Sequence, residues 1–145
     1  MSDFDVKPSV VFWILGMFFL LWNLMGCGIY LMDAMMSDAA YGQAYGEEML
    51  AARPFYPAWA TAAYAIAVWG GLVAAILFLL RKRLSLGLFI LSLVAALICF
   101  IPTFTNEILR DAGGPMFWAM PLLVVVLGSI EILYSRKQLG KRILR

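Results

Sequence analysis

The sequence predicts an all-α, polytopic membrane protein in which four transmembrane helices form a bundle with both termini cytoplasmic. Three observations carry that prediction. The chain of 145 residues is 64% hydrophobic and has a mean hydropathy of +0.90, whereas soluble domains are about 45–50% apolar. Its apolar residues gather in four runs of roughly 20, the length that crosses a ~30 Å hydrocarbon core at ~1.5 Å per residue. Its cations cluster between alternate pairs of runs, as expected when short basic loops are retained in the cytoplasm. One membrane domain over residues 1–145 follows.

A polar lead-in, residues 1–9, ends in Pro8-Ser9, a helix-start signal. The first span is expected over residues 10–32. It is longer than the ~7–15-residue apolar core of a signal peptide, and two acids share its flank with Lys7. Leu24-Met25-Gly26-Cys27 resembles the lipobox at which bacterial lipoproteins are cut. The apolar run nevertheless continues through Gly28-Ile29-Tyr30-Leu31-Met32, so the segment reads as a retained span.

Residues 33–56 form the longest polar stretch and are expected to be an outer loop. Asp33, Asp38, Glu47 and Glu48 face a single base, Arg53. Glu47 to Ala52 suits a short helical turn that Pro54 stops. Tyr41, Tyr45, Phe55 and Tyr56 suit a collar at headgroup depth.

The second span, residues 57–80, has no charge until Arg81-Lys82-Arg83. Ala63, Ala67, Gly71 and Ala75 recur every fourth residue within it and leave a stripe without bulk, where another helix can approach closely. The third span, residues 84–104, follows the basic turn 81–83 at once, so the two form an antiparallel hairpin. A short polar loop over 105–115 carries turn chemistry at Gly113-Gly114-Pro115. The fourth span is expected over 116–134, with Pro121 near its start, followed by a basic tail, 135–145. In this arrangement Lys7, Arg81, Lys82, Arg83, Arg136, Lys137, Lys141, Arg142 and Arg145 share the cytoplasmic side; Arg53 and Arg110 lie outside. Trp59 and Trp118 then mark the outer interface and Trp13 the inner one.

Several function classes recede on composition alone. No histidine is present, which removes the commonest metal ligand and the commonest general base at neutral pH. Cys27 and Cys99 have no metal-ligand spacing, and read as two packed thiols. No catalytic residue, cofactor or metal site is expected. Gly26-x-Gly28 lies in mid-span as a packing feature, and no phosphate loop appears. The net charge of +2 reports topology and points to no nucleic-acid partner.

Polar residues inside spans are costly, so each needs a reason. Gly16, Asn23, Cys27 and Tyr30 share a face of the first helix; Ser85, Ser92 and Ala96 share one on the third; Pro121, Gly128, Glu131 and Ser135 share one on the fourth. With the alanine stripe these faces make a bundle interior or a seam for another protein. Asn23 lies roughly 20 Å into its span. It reads either as a ligand contact, with Trp22 and Trp69 as aromatic walls, or as an interhelical hydrogen bond worth about 0.6–2 kcal/mol. Glu131 is the only acid well inside a predicted span and is placed about a turn from its cytoplasmic end. It reads as a proton-carrying group or, more simply, as a partner of Arg81, Arg83 or Arg136.

Trp22-Asn23-x-x-Gly26, Pro57-x-Trp59, Val68-Trp69-Gly70-Gly71 and the basic turn together resemble small four-helix inner-membrane proteins of proteobacteria, loosely labelled "sugar transporter". The resemblance runs from Phe12 to about Phe104. It implies a multi-pass protein of the bacterial inner membrane and supplies no binding residues. Two functions are expected. The first is a non-catalytic accessory or scaffold subunit that docks on itself or a larger membrane complex through Gly16, Ala63, Ala67, Gly71, Ala75, Ser92 and Gly128. The second is an oligomeric small-solute, sugar-like transporter. Membrane lipids are partners in both.

Overall fold

The computed structural model describes residues 6–145, the Met116 side chain excepted. The expected lead-in therefore lies partly, over residues 1–5, outside the described residues. Among the described residues there are seven α-helices, and four of them are long and apolar enough to cross a membrane. The protein is an all-α bundle with no strand among the described residues.

Helix α1 spans Val10–Met35 and starts where Ser9 Oγ accepts from the Phe12 amide at 3.3 Å. That bond satisfies one of the orphan donors of the first turn. The helix runs three residues past the expected boundary and carries Asp33 on its last turn. The segment expected as a loop is mostly helical. Ser37 caps α2 (Asp38–Tyr45), and Gly46, at φ 93°, turns the chain into α3 (Glu47–Ala52). A short 3₁₀ turn, Arg53–Phe55, carries Pro54 where the α-helix has to stop.

Helices α4 (Ala58–Leu79) and α5 (Leu84–Thr105) form the expected antiparallel hairpin. Residues 105–115 hold a further element, α6 (Glu107–Gly113), capped by Asn106 Oδ1 accepting from the Ile108 amide at 2.9 Å. Helix α7 spans Met116–Gly140. It overruns the expected end at 134 because Arg136 and Lys137 are good helix formers on the exposed side, while Ser135 and Gln138 turn inward and are buried. Water ends a membrane span without ending a helix.

In the bundle α1 packs on α4, α4 on α5, and α5 on α7. Across the remaining side α1 and α7 meet through side chains, among them Phe19 and Tyr134, 6.1 Å between ring centres. At one end Phe12, Phe19, Phe78 and Phe89 interlock with Ala74 and Ala75, and Phe12 stacks on Phe78 at 4.6 Å. The end of the basic tail folds back on this end. Ile143 and Leu144 join the aromatic core, the Arg145 amide donates to the Arg81 carbonyl at 2.7 Å, and the Arg83 amide donates to the Arg145 carbonyl at 3.2 Å. Arg81 also donates through Nη2 to the Val6 carbonyl at 3.0 Å, so both ends of the described chain lie beside the basic turn. The large apolar residues left exposed on all four long helices, such as Ile14, Ile66, Val94 and Leu122, suit a lipid surround.

Candidate functional site

Two places gather chemistry: a polar joint in mid-bundle and a cavity at the end away from the basic turn. The joint is built on Asn23, which the length of α1 carries into the interior. Its Nδ2 donates to Glu131 Oε1 at 2.6 Å and to the Phe19 carbonyl at 2.9 Å. Both residues are buried. Glu131 lies about 13 Å from the end of α7, and its carboxylate is turned into the bundle and buried. Its partner is therefore Asn23, in place of the expected Arg81, Arg83 or Arg136.

Room for Asn23 is made by Gly71. A Cβ there would overlap Asn23 Oδ1 and come within 2.9 Å of Ser92 Oγ. Ser92 in turn donates to the Ala67 carbonyl at 2.6 Å, and Cys27 Sγ donates to the Val68 carbonyl at 3.3 Å. All four long helices are thus stitched near one level by side chains that would otherwise leave polar groups unsatisfied in lipid. The joint is packed rather than open. Trp69 faces outward at 43% exposed and Trp22 is half-buried, so the expected aromatic walls around Asn23 are not assembled.

The small-residue positions have the same inward destination. Ala63, Ala67, Gly71 and Ala75 are buried, and Ala67 packs with Ala95, Ala96 and Val124. Gly16 seats Leu79 and Phe78, and Gly128 seats Leu93. These faces are covered within one chain, so they form the bundle interior instead of a seam for a partner. A leucine at Gly71 would strike this chain's own packing first.

The second place was not assembled by sequence reasoning. A cavity of about 630 Å³ opens between the long helices and the cap formed by α2, α3 and α6. Tyr30 and Tyr64 set its membrane side, edge to face at 5.2 Å and 87°. Tyr41 and Tyr45 come down from the cap, and Tyr56 donates its hydroxyl to the Cys99 carbonyl at 2.8 Å. Asp33, on the last turn of α1, accepts from the Tyr45 hydroxyl at 2.7 Å.

Arg53 holds the cap in place. It donates to Asp38 at 2.8 Å and to the Asp33 carbonyl at 3.1 Å, reaches the Met36 carbonyl at 3.5 Å, and lies 4.6 Å above the Tyr41 ring. One guanidinium thereby ties the end of α1 to α2 and to the 3₁₀ turn. The cap phenols are held neutral. Tyr45 is pushed up to about 12, first by its bond to the Asp33 carboxylate and then by burial. Tyr41 is raised by burial and by Asp33, with Arg53 opposing, and Tyr56 is raised chiefly by burial. Neutral phenols keep their protons, and Tyr45 and Tyr56 spend theirs on Asp33 and on the Cys99 carbonyl.

The available signal for this cavity was the tyrosine collar beside Asp33. Of that collar, Tyr41, Tyr45 and Tyr56 line the cavity and Phe55 does not; Tyr45 and Phe55 are both exposed on their outer sides. Among the described residues no group of three His, Cys, Asp or Glu could hold a metal ion, and both cysteines are free thiols. Compared with protein-family models, curated proteins and solved structures, the chain matches none.

Proposed function

We propose that this multi-pass membrane protein binds a small solute in the tyrosine-lined cavity, in a non-catalytic role, at the outer face of a bacterial inner membrane. The observation that carries the reading is the cavity itself. Its ~630 Å³ falls in the range of small-molecule sites, about 300–1,000 Å³, and its walls combine apolar surface with a few aimed polar groups. The outward orientation rests on the basic end, where Arg81, Lys82 and Arg83 meet the folded-back residues 143–145. The same reading keeps the chain with the small inner-membrane proteins that its Trp22 to Gly26 and Val68 to Gly71 motifs resemble. Transport of a bound solute would require the Asn23–Glu131 joint to part, since it closes the bundle beneath the cavity.

The test is thermal unfolding of the protein in lipid nanodiscs against a panel of sugars, amines and carboxylates. One class should raise the midpoint, and Thr103→Trp, which fills the cavity from α5, should abolish that rise while the protein stays folded. A panel without effect would remove the solute-binding reading.

A second reading, the accessory subunit, has one observation in its favour. Helix α7 is the least covered of the four spans, with 11% of its most apolar window buried against 28–33% in the others. A docking partner, either another copy or a larger complex, would then use the outer face of Trp118, Leu122, Val126 and Ile130 rather than the small-residue faces. Native mass spectrometry of protein gently extracted from its own membranes decides it. Larger subunits travelling with the chain support docking, and the chain travelling with lipid alone rejects it.

A further inference from the structure

If the cavity binds a solute, as proposed, the chemistry of its wall selects which kind. Its polar groups are unequal in what they have left to give. Arg53, the cation of the wall, already donates to the Asp38 carboxylate and to the carbonyls of Asp33 and Met36. Both terminal nitrogens are committed in this way, so an anionic guest could take a two-pronged grip on the guanidinium only by dismantling some of those bonds. Asp33 is in the opposite position. Its Oδ1 accepts from Tyr45, and among the described residues no donor is bonded to Oδ2. A carboxylate has acceptor sites on both oxygens, so one side of this one remains for a guest.

Around that carboxylate stand aromatic rings. A ring face carries negative quadrupole density and attracts a cation within ~6 Å of its centre. The wall already does this once: the Arg53 guanidinium sits 4.6 Å above Tyr41. Tyr30 and Tyr64, packed edge to face, offer further ring surface on the membrane side of the same cavity. Among the charged residues of the lining Arg53 is already matched by Asp38, which lies outside it, and Asp33 has no cation bonded to its carboxylate among the described residues. A positive guest meets an uncommitted carboxylate oxygen and π faces. A neutral sugar would gain hydrogen bonds but nothing from the charge.

We infer that the cavity is a site for a small organic cation, an alkylammonium group held between the Asp33 carboxylate and the faces of Tyr30 and Tyr64. The inference rests on the solute-binding reading. The ammonium can belong to a soluble amine or to the headgroup of a lipid, since the cavity opens at the end of the spans.

The experiment is calorimetric titration of the full chain in phosphatidylglycerol nanodiscs, which contain no ammonium lipid. The probes are choline, its uncharged carbon isostere dimethylbutanol, and glucose. Choline should bind at least about tenfold more tightly than dimethylbutanol, and Asp33→Asn should weaken choline by about tenfold or more with the unfolding midpoint retained. Should that variant fail to fold, Tyr30→Leu serves as the second probe, with an expected loss of about three- to tenfold.

Repeating the titration in phosphatidylethanolamine separates the sources. Competition by the lipid identifies a headgroup guest, and unchanged affinity identifies a soluble one; either result retains the ammonium chemistry. Equal binding of choline and dimethylbutanol, or tighter binding of glucose, overturns the cation inference while leaving a solute site. No heat from any probe, together with a silent thermal panel, overturns both.

Discussion

The two ends of the bundle are built on different physics. At the basic end the α4–α5 connection is only a few residues long, four phenylalanines interlock, and the backbone of residues 143–145 pairs with the turn. At the other end the connections are long, three short helices form a cap, and the cap is held by one arginine and a few phenolic hydroxyls around a cavity. Dense apolar packing resists local opening, whereas a few solvent-facing polar bonds open at small cost. The contrast teaches that one end of this molecule is closed by dense packing, while the other keeps a cavity under a lightly held cap.

Removing a ring from the closed end should give the largest effect. Phe78→Ala empties a fully buried position that touches Phe12, Phe19, Phe89 and Tyr134. The expected loss is about 3 kcal/mol, the low end for a buried phenylalanine because lipid replaces part of what water would penalise. Reversible unfolding in mixed micelles measures it, and a loss below about 1 kcal/mol would mean that the aromatic cluster is not the anchor.

Arg53→Ala, at the open end, should cost less and act locally, by about 1–2 kcal/mol. Hydrogen exchange over residues 36–56 should accelerate while exchange in α4 and α5 stays as it was. Uniform acceleration would show the two ends to be one cooperative unit.

The smallest effect is a titration. The neutral Tyr45 phenol donates to Asp33, and its pKa stands at about 12 rather than the ordinary value near 10. A raised acid of this kind contributes fully below pH ~10, and its contribution is lost as pH rises through about 12. Phenolate absorbance of the wild type minus that of Tyr45→Phe should show this step. Ionisation of the difference signal near pH 10 would mean that the Asp33 bond is not made.

The same division governs what the sequence disclosed. Spans, hairpin and basic turn were legible because lipid imposes length and apolarity on a continuous segment, and water imposes charge on its ends. The alanine stripe was legible as a packing face through its four-residue spacing, although spacing does not say whose helix fills it. The burial of Glu131 was not legible, because spacing along one helix does not say which neighbour covers a side chain. Its bond to Asn23 joins positions 108 residues apart, beyond any local pattern. The cavity was half visible. Tyrosines in 33–56 suggested a headgroup collar, but turning Tyr41 and Tyr45 inward over Tyr30 and Tyr64 depends on the cap fold that Gly46 and Arg53 create.

The pairing of residues 143–145 with the basic turn also sets a schedule. The Arg81 side chain donates to the Ile143 carbonyl, 62 residues downstream, and synthesis at about 5–20 residues per second separates the two by roughly 3 to 12 seconds. Once α5 has been made, at Thr105, the α4–α5 hairpin has its turn unfinished for the rest of that interval, and the helix that will supply Glu131 to Asn23 has yet to be completed. Charge on the turn keeps the waiting intermediate anchored at the water surface. Residues 143–145, which follow the fourth span in the chain, then act as a clasp, closing the basic end after all four spans have been made.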